Sequence, residues 1–107
     1  MEEMARRSQA RPPAGAAVTG ELVARFTAFL DVRPKTVETY TRALRQMFRF
    51  LSERDIRQPG REDLVAWRED LRARCKPATV QNYVIAARLF FRWTAQEHLY
   101  PDIADHL

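Results

Sequence analysis

From Thr19 onward, large apolar residues recur every three or four positions, and no segment alternates strictly between apolar and polar residues. This periodicity is typical of amphipathic α-helices, so the chain is predicted to be all-α. The first predicted helix follows Thr19, whose hydroxyl suits an N-cap, and it carries Glu21 near its positive end. Its expected buried stripe consists of Leu22, Val23, Phe26, Phe29 and Leu30.

Three further helices are predicted, and prolines mark the breaks between them. The second runs from about Pro34 to Glu53, the third from Arg61 to about Arg74, and the fourth from Pro77 to about Glu97. The expected buried stripe of the second helix consists of Val37, Tyr40, Leu44, Met47, Phe48 and Leu51. Those of the third and fourth helices consist of Leu64, Val65, Trp67, Leu71, Val80, Val84, Ala87, Phe91 and Thr94.

The length of 107 residues suits a single domain, and no apolar run is long enough to span a membrane. Residues 1–18 offer few side chains to bury and are predicted to be a disordered N-terminal arm. Residues 19–107 are predicted to form a compact four-helix bundle, ending in a docked turn or a linker. The single cysteine, Cys75, forms no internal disulfide, which favours a reducing, cytoplasmic location.

Charge is concentrated in one part of the chain. The whole sequence has a formal net charge of +4, and residues 33–58 alone contain seven bases against three acids. A basic segment of this kind indicates a polyanionic partner, for which nucleic acid is the commonest candidate.

The polar side of the second helix extends this argument. On a helical wheel, Lys35, Arg42, Arg45 and Arg49 form a row that could follow a phosphate backbone. Thr39 and Gln46 lie near that row and could reach base edges. An ordinary solvated surface is the alternative, because Glu38 and Arg42 are spaced as an intrahelical ion pair.

The fourth helix carries a second candidate surface. Opposite its core stripe lie polar and apolar residues together: Gln81, Asn82, Ile85, Leu89, Arg92 and Trp93. In its first turns, Thr79, Gln81 and Asn82 have the hydroxyl and amide groups that touch bases or phosphates. Capping and solvation are the alternative explanation for these three residues.

The sequence offers no convergent catalytic set. His98 and His106 have no metal-binding spacing with Cys75, and the adjacent acids of the third helix diverge on its surface. No metal, cofactor or enzymatic activity is therefore expected of this chain.

Two segments resemble the N-terminal core-binding domain of tyrosine recombinases, the phage integrase family. They are PKTVETYTRALRQMFRFLSERDI and PGREDLVAWREDLRARCKPATVQNYVIAARLFFRWTAQEHLYPDIADHL, and the likeness covers roughly residues 19–107. The first carries the family series Thr36, Val37, Tyr40, Leu44, Phe48 and Leu51. A similar series of residues recurs in the last helix, from Lys76 to Trp93.

The resemblance implies a SAM-like four-helix domain that clamps duplex DNA through its second and fourth helices. It adds Thr36, Arg88 and Arg92 to the expected DNA contacts. It also implies that catalysis resides in a following domain absent from this chain, so that the chain is a fragment or truncated recombinase without activity of its own. Other recombinase protomers are expected as partners in the full-length synaptic complex, while the isolated domain is expected to be monomeric. Two departures weaken helix capping: Lys76 and Gly60 stand where the family commonly has Ser or Thr.

The main rival is a helical protein-interaction domain of adaptor type. In that hypothesis the cationic face docks an acidic partner, and Ile85, Leu89 and Trp93 form an apolar contact. Phosphate neutralisation makes binding to duplex DNA strongly salt-dependent, which separates the two hypotheses.

Overall fold

The computed structural model describes residues 16–107, which form four α-helices and short connections. The helices are α1 (Gly20–Phe29), α2 (Pro34–Glu53), α3 (Arg61–Arg74) and α4 (Pro77–Gln96). The all-α prediction and the four-helix bundle are confirmed, and the predicted helix ends are correct to within one residue. Among these helices, none combines the length and the apolar character that a membrane crossing requires.

Local chemistry explains where the helices begin. The hydroxyl of Thr19 accepts a hydrogen bond from the Leu22 amide at 3.3 Å, which caps α1 as predicted. Pro34 and Pro77 occupy the first turns of α2 and α4, where a missing N–H costs nothing. At the start of α3, the amide of Gly60 donates to the carboxylate of Asp63 at 2.8 Å.

The core is built around α2 and α4, each of which contacts all three other helices, and the contact between these two is the most extensive. Phe26 of α1 packs edge-on against Phe90, with ring centroids 5.5 Å apart, and also meets Trp93 at 5.6 Å. From α3, the ring of Trp67 stacks on Tyr83 at 6.5 Å. Aromatic side chains from three helices therefore fill a single core.

The sequences of α2 and α4 match each other when they are aligned 43 residues apart. Eight positions are then identical, including the first proline of each helix and two arginines: Arg45 pairs with Arg88, and Arg49 with Arg92. The buried positions of α2 match as well. Ala43, Leu44, Met47, Phe50 and Leu51 correspond to Ala86, Ala87, Phe90, Trp93 and Thr94, all of them buried. The two helices thus present equivalent faces to the core.

This arrangement corrects the predicted stripe of α2. Phe50 is 5% exposed and belongs to the core, whereas Phe48 is half-buried at its edge. The buried side is rotated by roughly 50° from the predicted one, at 100° per residue. Ala43, which is not part of the predicted stripe, is fully buried on this rotated side.

Two aromatic residues were also assigned to the wrong environment. Phe29, predicted to be buried, is 61% exposed, since at 100° per residue it lies about 90° around α1 from the middle of the buried pair Val23 and Phe26. Trp93, predicted to face outward, is 5% exposed beneath Phe26. Phe29 nevertheless contacts the edge of the core, since its ring centroid lies 6.1 Å from that of Trp93.

Both ends of the described chain pack on the bundle. Val18 is buried and its amide donates to the carbonyl of Arg57, so residues 16–18 do not belong to a disordered arm. Residues 1–15 of the predicted arm lie outside the described residues. The C-terminal segment forms a docked turn, with Tyr100 and Ala104 buried. Arg61 and Arg68 of α3 donate to backbone carbonyls of its last three residues, Asp105, His106 and Leu107.

Candidate nucleic-acid interface

The side of α2 opposite its contact with α4 is exposed and carries a cluster of cations. This α2 outer face consists of Lys35, Glu38, Arg42, Arg45 and Arg49, all of them exposed. The predicted cationic row is therefore present on one helix face. Arg45 lies at the edge of the row, where it lines a groove between α1 and α2.

Most of these cations have no counter-ion among the described residues. Within residues 16–107, no salt bridge involves Lys35, Arg42 or Arg45, although Glu38 lies one turn before Arg42. Arg49 differs, since its guanidinium meets the carboxylate of Glu53 at 3.1 Å. Like charges spaced one turn apart destabilise a helix slightly, and an external anion would relieve that repulsion.

The polar residues predicted to read bases on α2 are less accessible than the cations. Thr36, Thr39 and Gln46 are half-buried, and the hydroxyl of Thr39 donates to the Lys35 carbonyl at 3.1 Å. This bond engages the hydroxyl proton and leaves the oxygen as an acceptor. Gln46 lines a groove of about 340 Å³ between α2 and α3. The structure thus places these side chains beside the row of cations rather than within it.

The starts of α2 and α4 share an electrostatic character. Neither has a side-chain cap or an acidic residue in its first turn, and each follows a cation, Arg33 or Lys76. The starts of α1 and α3 carry Glu21 and Asp63 in their first turns. An uncompensated helix start attracts anions, so α2 and α4 favour phosphate at these ends more than the other two helices do.

The predicted contacts on α4 divide into two groups. Gln81, Asn82 and Arg92 are exposed, whereas Thr79 and Arg88 are half-buried. Gln81, Ile85, Arg88 and Arg92 share one side of the helix and form the α4 outer face. Helix α4 contains no aspartate or glutamate between Pro77 and Gln96, so this face is wholly neutral or cationic.

The α2 and α4 outer faces lie on the two helices that make the most extensive contact with each other. Each outer face is opposite the buried side of its own helix. The structure therefore groups the α2 cations on one helix face and the α4 residues on another.

Two residues that the helical wheels did not assign to DNA adjoin these faces. Arg54, just beyond α2, holds its guanidinium carbon 3.6 Å above the centre of the Phe50 ring and lines the same groove as Arg49 and Arg74. The sequence feature that could have indicated Arg54 is the basic segment of residues 33–58. A helical wheel covers only the helix, and Arg54 follows its last residue. Ile85 is 37% exposed in the middle of the α4 outer face. The signal for Ile85 was its position opposite the core stripe.

The described residues contain no arrangement typical of a catalytic centre. No three His, Cys, Asp or Glu side chains within residues 16–107 are close enough to share a metal ion. Cys75 is a free, half-buried thiol. The hydroxyl of Tyr100 is buried and donates to the carbonyl of Pro59 at 2.8 Å, and burial, with a smaller effect of Asp63, raises its pKa well above the ordinary value. This tyrosine has a structural role.

Comparison with known proteins identifies the fold family. The family model described as phage integrase, N-terminal SAM-like domain, matches residues 21–100, which include all four helices except Gly20, the first residue of α1. No curated protein and no solved structure shows a significant match to the chain. The family match confirms the resemblance found in the sequence, and because it covers most of the chain, the protein belongs to the family of phage integrase N-terminal SAM-like domains.

Proposed function

We propose that this domain is the DNA-binding module of a tyrosine recombinase, that it holds duplex DNA through α2 and α4, and that it performs no catalysis alone. The observation that carries the proposal is the exposed set of Lys35, Arg42 and Arg45, which has no salt bridge within the described residues. Membership in the integrase family makes DNA the polyanion to expect. A row of cations spaced by helical turns suits the regular spacing of phosphates.

The two helices contribute differently in this proposal. The α2 outer face supplies most of the phosphate contacts, and Arg54 extends it at the end of the helix. The exposed amides of Gln81 and Asn82 on α4 supply contacts to base edges, supported by Arg88 and Arg92. Thr36, Thr39 and Thr79 are half-buried. We propose that these small side chains let the DNA backbone approach the helices closely and form hydrogen bonds at the edges of the contact.

Arginine substitutions on α2 test the proposal directly. Arg42→Gln and Arg45→Gln should each weaken binding to a 20-base-pair duplex of any sequence. Each should also reduce the slope of log affinity against log salt by about 0.9, the value for one phosphate contact. The matched control is Arg72→Gln on α3, which removes the same charge from a residue paired with Glu69 at 2.8 Å.

The outcomes separate the DNA-binding module from an adaptor domain. The control should keep nearly the wild-type slope, because its arginine lies on another helix. If Arg42→Gln and Arg45→Gln both keep the wild-type affinity and slope, α2 does not face DNA and its charge is a solvated surface. Wild-type protein that fails to bind duplex DNA even at low salt would favour the protein-interaction hypothesis.

The proposed lack of catalysis has its own test. The isolated chain should neither cleave nor join a nicked duplex, with or without divalent metal ions. A covalent adduct between this chain and DNA, detected as a protein band of reduced mobility after denaturation, would contradict the proposal. We further propose that the isolated chain is monomeric and meets other recombinase protomers only as part of the full-length protein.

A further inference from the structure

Ile85 is exposed at a place where the surrounding surface is polar. Only three large apolar side chains in residues 16–107 are exposed: Phe29, Val32 and Ile85. Phe29 and Val32 lie at the end of α1 and in the connection to α2. Ile85 lies instead near the middle of α4, and its placement there calls for a separate explanation.

The neighbours of Ile85 on the helix surface include side chains of the kinds that contact DNA bases and phosphates in protein–DNA complexes. Gln81 and Asn82 lie one turn before it, and Arg88 lies one turn after it. Gln81 and Asn82 are exposed, and Arg88 is half-buried. In the alignment of the two helices, the residue of α2 that corresponds to Ile85 is Arg42. An aliphatic side chain on α4 thus takes the place of a phosphate-binding candidate on α2.

We propose that Ile85 contacts the C5-methyl group of thymine in the major groove and makes α4 selective for A·T base pairs. This inference rests on the proposed DNA-binding function and names the chemistry that its α4 face would recognise. In the major groove, thymine presents a methyl group, and adenine presents a donor and an acceptor that an Asn or Gln amide matches. Ile85 can contact the thymine methyl group, and the amide of Gln81 or Asn82, one helical turn away, can bind the donor and acceptor of adenine.

Charge favours DNA over a protein as the partner of this face. The twenty residues of α4 include no acid, while Arg88 and Arg92 share the face with Ile85. A polyanion is attracted to such a surface. Ile85 and the half-buried Leu89 one turn after it offer too small an apolar area to anchor a protein interface by themselves.

The experiment compares two duplexes that differ only in the thymine methyl group. The probes are alternating A·T and alternating A·U duplexes of 20 base pairs, titrated with the full chain at several salt concentrations. Wild-type protein should bind the A·T duplex roughly fourfold more tightly, which is the effect of burying one methyl group. Both duplexes should give the same salt slope, because their phosphates are identical.

Substitutions at Ile85 assign the effect to this side chain. Ile85→Ala should bind both duplexes equally, whereas Ile85→Val, which keeps a branched aliphatic side chain, should retain part of the preference. The matched control is Val32→Ala, which removes an exposed aliphatic group outside α4 and should keep the wild-type preference. Circular dichroism establishes that each variant is folded.

Three outcomes would overturn the inference. Wild-type protein that binds both duplexes equally, with a steep salt slope, would refute the thymine contact and leave the DNA-binding function intact. An undiminished preference in Ile85→Ala would show that another residue contacts the methyl group. Absence of binding to either duplex at low salt would overturn the inference and the proposed function together.

Discussion

The guanidinium of Arg49 lies 3.1 Å from the carboxylate of Glu53, one turn further along α2. Both side chains are largely exposed, at 73% for Arg49 and 59% for Glu53, so the pair contributes little to stability. Its consequence concerns binding. Arg49 donates to Glu53 through Nε, so its other N–H groups could meet a phosphate, but the carboxylate of Glu53 would then lie close to the DNA. Glu53 is therefore an internal competitor for one of the four cations of the α2 outer face.

Glu53→Gln should strengthen binding to duplex DNA. The substitution releases Arg49 and removes a charge that repels phosphate, and we expect an affinity increase of about three- to tenfold at low salt, from an electrostatic interaction of about 1 kcal/mol. Binding isotherms at two salt concentrations measure it. Glu97→Gln, an exposed acid beyond the end of α4, gives the same change in net charge and should have a smaller effect. Equal effects of the two substitutions would mean that only net charge matters.

Secondary structure in this chain could be predicted from the sequence because its signals are local. Pro34, Pro77 and the cap at Thr19 fix helix starts through backbone geometry that involves only neighbouring residues. The buried side of each helix was harder to predict, since it depends on how closely the neighbouring helices approach. On α2, Phe48 fits the apolar pattern as well as Phe50 does, and the packing of the other three helices around α2 decides which of them is buried.

The match between α2 and α4 does not resolve this ambiguity. Phe48 corresponds to Phe91 and Phe50 to Trp93, and both of these α4 residues are buried, so the alignment supports either phenylalanine. The cations of α2 could be predicted because exposure is the usual state of arginine and lysine.

Alanine substitutions at Phe48 and Phe50 should distinguish the observed core side of α2 from the predicted one. Phe50→Ala empties a buried site and should lower the free energy of unfolding by about 3 kcal/mol or more. Phe48→Ala removes a half-buried ring and should cost about 1 kcal/mol. Urea denaturation followed by circular dichroism measures both. A larger loss for Phe48→Ala would mean that α2 packs in the orientation predicted by its hydrophobic pattern.

Lys76→Ser should stabilise the domain. Lys76 occupies the N-cap of α4 with extended backbone angles and makes no side-chain hydrogen bond there. A serine at this position can accept a hydrogen bond from an amide of the first turn, and the substitution also removes a positive charge from the positive end of the helix. We expect a gain of about 1 kcal/mol in the free energy of unfolding. Lys35→Ser is the control, because Lys35 lies inside the first turn of α2, where serine gains no cap. A gain in both variants would attribute the effect to charge alone.

Tyr100→Phe should change both the stability of the domain and its dependence on alkaline pH. Tyr100 is 1% exposed and donates its hydroxyl proton to the Pro59 carbonyl at 2.8 Å. Removing the hydroxyl leaves that buried carbonyl without its donor, so we expect a loss of about 1–2 kcal/mol at pH 7. Burial, and to a smaller degree the charge of Asp63, raises the pKa of Tyr100 above the value of 10.0 that it has when exposed.

The folded state therefore holds the Tyr100 proton more tightly than the unfolded state does. Above pH 10 the unfolded state is stabilised by ionisation while the folded state keeps its proton, so the wild type loses stability as the pH rises. Tyr100→Phe has no such proton, and its disadvantage relative to wild type should shrink between pH 10 and pH 11. Urea denaturation at pH 7, 10 and 11 measures the difference between the two proteins. A difference that stays constant over this range would mean that Tyr100 ionises equally easily in the folded and unfolded states, contrary to its burial beneath Pro59.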